Sequence, residues 1–158
     1  MPPRPRAAVL TDAAGAEARA ILRRGVCSAG APARTDISLP GVQRVSWERW
    51  ADWLQDAEDD FAAAADLARL GRYAKACFHA QQAAEKALKA LLIAKAGRYE
   101  RTHSAYALLL AAERAGLEVP REVKDAAEEL DRHYVPSRYP NAWPWGPPHA
   151  HYRTPRCV

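Results

Sequence analysis

No stretch of this 158-residue chain approaches 18 consecutive apolar residues, so no segment is expected to cross a bilayer as a helix. The N-terminus, MPPRPRAAVLTDAAG, carries arginines but lacks the apolar core of a secretory signal. Cysteine is scarce: Cys27, Cys77 and Cys157 are odd in number and far apart. That predicts reduced thiols in a cytoplasmic protein rather than a disulfide frame. Gly-rich phosphate loops, nucleophile elbows and paired-carboxylate motifs are missing. His149, His151 and Cys157 match no established zinc spacing, so neither a metal nor another cofactor is expected. Period-two alternation and internal repeats are missing too, which leaves helices.

Positive charge is present, but not where a nucleic-acid surface would need it. The formal net charge is +4. Residues 1–46 hold seven arginines against Asp12, Glu17 and Asp36, while residues 47–158 hold sixteen basic and sixteen acidic side chains. The whole excess therefore sits in the leader, and any contact with nucleic acid must come from a local patch.

What is there is a run of amphipathic helices, enough for one domain with a real core. Residues 1–45, rich in Ala, Arg, Gly and Pro, are expected to form a disordered or loosely helical leader. From Ser46, a plausible N-cap, Trp50, Leu54, Ala57, Phe61, Ala64 and Ala68 follow 3-4 spacing, with Gly71 as the stop. A second helix is predicted from Tyr73 to Ala96, closed by Gly97. Its many alanines suit a central helix that touches more than one neighbour. A third is expected from an N-cap near Thr102 to about Ala115, and a fourth from Pro120 to Tyr134. The expected fold is an all-α antiparallel four-helix bundle over about 46–135. A proline-rich arm over 136–158, VPSRYPNAWPWGPPHAHYRTPRCV, should be extended and should pack some of its tryptophans and tyrosines on the bundle. Asp131 and Tyr134 are expected to anchor that arm through hydrogen bonds.

Three segments in order, WADWLQDAEDDFAAAADLARLGRYAKACFHAQQAAEKALKALLIAKAG, THSAYALL and LDRHYVPSRYPNAW, resemble the HEPN domain of prokaryotes across roughly residues 47–152. The resemblance implies an all-α bundle that commonly forms a homodimer. It also implies, for many members, pairing with a minimal nucleotidyltransferase in a toxin–antitoxin or related two-gene system. Some members are metal-independent ribonucleases with an Arg-x4-6-His motif, and others are non-catalytic RNA- or nucleotide-binding modules. Two features depart from the pattern. The arginine-rich leader is not part of the usual domain, and relatives usually continue past the arm into a last helix.

Metal-free RNA cleavage calls for a proton acceptor near neutral pH and a permanent cation on the phosphate, which are His and Arg. RYERTH supplies Arg98 and His103 at that spacing, though in the turn between the second and third helices rather than at the later helical pair the family uses. A second candidate is a ridge of the central helix, where His79, Gln82, Lys86 and Lys89 fall within about an 80° arc. Glu85 flanks it and is placed to pair with Lys89. The ridge reads either as an ordinary solvated face or as a binding face that meets the SRYP arm. In the second case Lys86, Lys89 and Arg138 address a phosphate and Tyr139 stacks on a base. Three functions follow: a ribonuclease using His103 with Arg98 or Arg138, a non-catalytic RNA- or nucleotide-binding module, or a purely structural interaction protein.

Overall fold

A computed structural model of the chain describes residues 49–154 and Cys157. The leader expected over 1–45 and the N-cap expected at Ser46 lie outside the described residues. Within them, four helices follow one another: α1 (Trp50–Arg69), α2 (Tyr73–Ala96), α3 (Ala105–Arg114) and α4 (Arg121–His133). No strand occurs among the described residues, and none of their helices is long and apolar enough to cross a membrane.

Helix ends fall where local chemistry puts them. Gly71 and Gly97 both take positive φ, at 72° and 61°. At Gly97 the left-handed backbone lets Gly97 N and Arg98 N donate to Ile93 O and Leu92 O, which closes the carbonyl end of α2. α3 begins later than expected. Ser104 is its N-cap rather than Thr102; its Oγ accepts from Ala107 N at 3.0 Å. Thr102 instead accepts from Ser104 N at 3.1 Å, a local turn that feeds the cap.

α2 is the central rod. It packs against α1 along its length, against α3 and α4, and against a short turn of the arm, Pro148–Ala150. No residue from Ala76 to Ala96 is fully exposed, because alanine at so many positions lets neighbours approach on several sides. Leu92, Leu108, Ala111 and Ala112 form one part of the core and Ala105, Leu109 and Ala127 another, with Leu88 packed against both.

The arm folds back rather than running extended. Two 3-10 turns, Pro140–Ala142 and Pro148–Ala150, each start on a proline, where the missing N–H costs no hydrogen bond. Trp143 Nε1 donates to Pro136 O at 2.8 Å, and the Trp143 ring stacks on His151 with centroids 4.1 Å apart. Tyr152 is buried against Ala74 and Cys77. Packing of arm aromatics on the bundle is thus seen for Trp143 and Tyr152, whereas Trp145 and Tyr139 stay exposed.

One expectation is overturned here. Cys77 and Cys157 are joined as a disulfide across 80 positions of sequence. Distance along the chain argued for separate thiols, but the fold-back of the arm brings the two sulfurs together. With the pair joined, cysteine usage no longer argues for a reducing compartment.

Candidate functional site

The polar ridge of α2 is half-buried to buried and takes its partners from within the helical bundle. Its Lys86 end meets acidic residues of α1. Lys86 Nζ reaches Asp56 Oδ2 at 2.5 Å and Asp60 Oδ2 at 2.6 Å, and His79 Nδ1 lies 2.7 Å from Asp60 Oδ1. Burial by itself would lower the pKa of Lys86. Hydrogen bonds to Asp56 and Asp60, with the attraction of both charges, outweigh it and hold the ammonium above its ordinary value.

One turn further on, the ridge holds a buried ion pair. Glu85 and Lys89 are 4% and 3% exposed, and Lys89 Nζ donates to Glu85 Oε1 at 2.8 Å, the i,i+4 pairing that the spacing predicts. Charges this deep need further partners. Lys89 finds them in the rings of Trp53 and Tyr99, 5.6 and 5.2 Å from Nζ. Glu85 Oε2 accepts from Gln82 Nε2 at 3.2 Å, and the same amide donates to Gln81 Oε1 at 2.7 Å. Gln81, fully buried, donates to His103 O at 2.7 Å and so ties the α2–α3 connection to the network.

His103 is where this network reaches the surface. Its Nδ1 lies 3.2 and 3.4 Å from the two oxygens of Glu85, yet its side chain is 66% exposed. The ring stacks on Tyr134, with centroids 5.1 Å apart and planes 16° from parallel. Arg138 lies over the same tyrosine, its guanidinium carbon 4.0 Å from the ring centroid, and also over Phe78 and Tyr139 at 5.2 and 4.9 Å. Arg138 Nε donates to Tyr134 O at 3.0 Å. Among the described residues no carboxylate pairs with Arg138, which separates it from Lys86 and Lys89.

Asp131 fixes the floor of this corner. It accepts from Ser104 Oγ at 2.6 Å, Ala105 N at 2.8 Å and Tyr106 N at 3.1 Å. A carboxylate of α4 thereby caps α3, where unpaired N–H groups and the helix dipole favour negative charge. Asp131 was expected to anchor the arm; it anchors α3 instead.

The sequence-derived residues therefore divide into three places. His79 and Lys86 face α1; Gln82 and Lys89 belong to the buried network around Glu85; His103, Arg138 and Tyr139 meet at the surface around Tyr134. Lys86, Lys89 and Arg138 share no partner among the described residues: Lys86 is bound to Asp56 and Asp60, Lys89 to Glu85, and Arg138 lies on Tyr134. Arg98 sits exposed beside Gly97, and the ring contacts of His103 are Glu85 and Tyr134, not Arg98. Spacing along the chain offered Arg98 as the partner of His103, with Arg138 as the alternative; in the fold His103 and Arg138 both lie against Tyr134. Sequence reading gave no role to Gln81 or Tyr99. Only the presence of a Glu on an alanine-lined helix hinted that something must come to neutralise it. Among the described residues, no three of His, Cys, Asp and Glu group as metal ligands.

Comparison with known proteins identifies the family of this fold. The HEPN domain family model matches residues 50–154. TT1696 of Thermus thermophilus, a crystal structure, is 42% identical with a TM-score of 0.65; the match covers 69% of this chain and 84% of that one. ST0689, described as an archaeal HEPN homologue, is 37% identical with a TM-score of 0.56, over 69% of this chain and 83% of that one. No curated protein matches. With more than half its length matched by the family model and two solved relatives above 30% identity, this chain belongs to the HEPN domain family.

Proposed function

We propose that this protein binds RNA or a nucleotide at the surface built from His103, Tyr134, Arg138 and Tyr139. The observation that carries the reading is Arg138. Its guanidinium is seated on three aromatic rings, and among the described residues only its Nε makes a hydrogen bond and no carboxylate neutralises it. A planar fork of that kind suits a phosphate, and Tyr139, 51% exposed beside it, offers a face for a base. Family membership supports action as a homodimer and as one half of a two-gene toxin–antitoxin system with a minimal nucleotidyltransferase. A small nucleotidyltransferase reading frame beside the gene would support that pairing.

The test is fluorescence anisotropy with a labelled single-stranded RNA. Arg138→Gln should weaken binding about ten- to a hundredfold, the worth of hydrogen bonds to a charged group. Lys86→Gln should change it little, because Asp56 and Asp60 already hold that charge. The reverse order would place the interface on α1 and α2 and remove this reading. One observation favours a second version, in which the same surface cleaves RNA without metal. His103, exposed and oriented by a carboxylate, stands beside Arg138 across one ring. Cleavage in excess EDTA that is lost in His103→Ala, with the fold retained, would support that version; persistence in the variant would reject it.

A further inference from the structure

We infer that the buried Glu85–Lys89 pair makes His103 a reader of the ribose 2′-hydroxyl, so that this surface selects RNA over DNA. The inference rests on the RNA-binding reading above and adds to it the chemical group that is recognised. Its basis is a tautomer. Lys89 Nζ donates to Glu85 Oε1 at 2.8 Å, and a carboxylate oxygen accepts hydrogen bonds. Gln82 already donates to Oε2. With His103 Nδ1 facing both oxygens at 3.2 and 3.4 Å, the geometry assigns it the proton. In the neutral ring, Nε2 is then the nitrogen with a bare lone pair.

That nitrogen has no partner among the described residues and belongs to a ring that is 66% exposed. The ring itself is held in place by the stack on Tyr134 and by the bond from Gln81 to the His103 carbonyl. A fixed acceptor selects ligand groups that donate. The phosphate oxygens of a nucleic acid do not donate, whereas the 2′-hydroxyl does, and DNA lacks it. The His103 ring and the Arg138 guanidinium both touch Tyr134, which puts them within about 9 Å of each other. A single nucleotide can span that gap, with its phosphate on Arg138 and its sugar on His103. Lys89 thus acts at a distance: buried too deeply to meet a ligand, it holds one oxygen of the carboxylate that orients the reader.

Glu85→Gln alone would strand the Lys89 charge in the core and risks unfolding. The variant to use is Glu85→Gln combined with Lys89→Met, which removes both charges at similar volume. Two measurements are made on the full chain. The first is the histidine ring 15N correlation spectrum in mildly alkaline buffer. His103 should be the Nδ1–H form in the wild type and should shift towards Nε2–H in the double variant. The second compares affinity for a short oligouridine with its 2′-fluoro counterpart, which keeps an RNA-like sugar but has no hydroxyl proton. The wild type should prefer the hydroxyl form by about three- to tenfold, the worth of one hydrogen bond, and the ratio should fall to about one in the double variant. An Nε2–H wild type, or a ratio that the double variant leaves unchanged, would overturn this inference while the RNA-binding reading stands. Failure of the wild type to bind either oligonucleotide would overturn both.

Discussion

Removing the link between Cys77 and Cys157 tests how the arm is held. The bond closes a loop of 80 residues. Loop-closure entropy for that length destabilises the unfolded chain by about 4.5 kcal/mol at 25 °C. Domains of this size are stable by only about 5–15 kcal/mol, so the link is a large share of the whole. Cys157→Ser is the better variant, since Cys77 is fully buried and a serine there would add a buried hydroxyl. Urea unfolding followed by tryptophan fluorescence should show a midpoint lower by about 2 M, for a slope of about 2 kcal/mol per molar. Adding reductant to the wild type should reproduce the shift. The arm should stay partly seated even so, because the Tyr152 hydroxyl lies 2.9 Å from His133 Nδ1 and Trp143 still donates to Pro136. Coincident midpoints with and without reductant would refute the reasoning. So would thiol titration of the unfolded, unreduced protein that counts three thiols, where the disulfide leaves only Cys27.

Two further outcomes follow from other contacts. Asp131→Ala removes three hydrogen bonds at the start of α3 and should destabilise the protein by about 2–3 kcal/mol, read as a urea midpoint; a change below about 0.5 kcal/mol would deny Asp131 its capping role. Lys86, whose pKa is raised in the fold by Asp56 and Asp60 against the opposing effect of burial, contributes stability that is complete below its ordinary value of 10.5. That contribution is lost as the pH climbs through the raised value. The stability gap between wild type and Lys86→Met should therefore narrow above about pH 10.5, and a gap that widened there would contradict the assignment.

Part of this molecule was legible one residue at a time. α2 runs from Tyr73 to Ala96 as its pattern predicts, because a helix is written in neighbours three and four apart and Gly97 can adopt the backbone that ends it. α3 starts two positions later than Thr102 suggests: Thr102 and Ser104 are both local cap candidates, and Ser104 takes the role with Asp131 of α4 adding its own bonds there. The ridge of α2 shows the limit of such local rules more sharply. Its periodicity was plain and its surroundings were not: polar side chains along alanine-rich helix faces can be solvated, or they can be enclosed by a second helix that brings its own carboxylates.

Sequence alone therefore determined the helical class, the positions of most helix ends, the Glu85–Lys89 pairing and the family likeness. All of these are local or patterned along the chain. Tertiary structure alone decided that Lys86 is spent on α1 and that Glu85 faces His103. It alone decided that His103 and Arg138 both lie against Tyr134, and that two distant cysteines meet. Each of these depends on which faces approach in space. The free energy of such contacts comes from burial and charge pairing between segments far apart in sequence, where spacing along the chain carries no information.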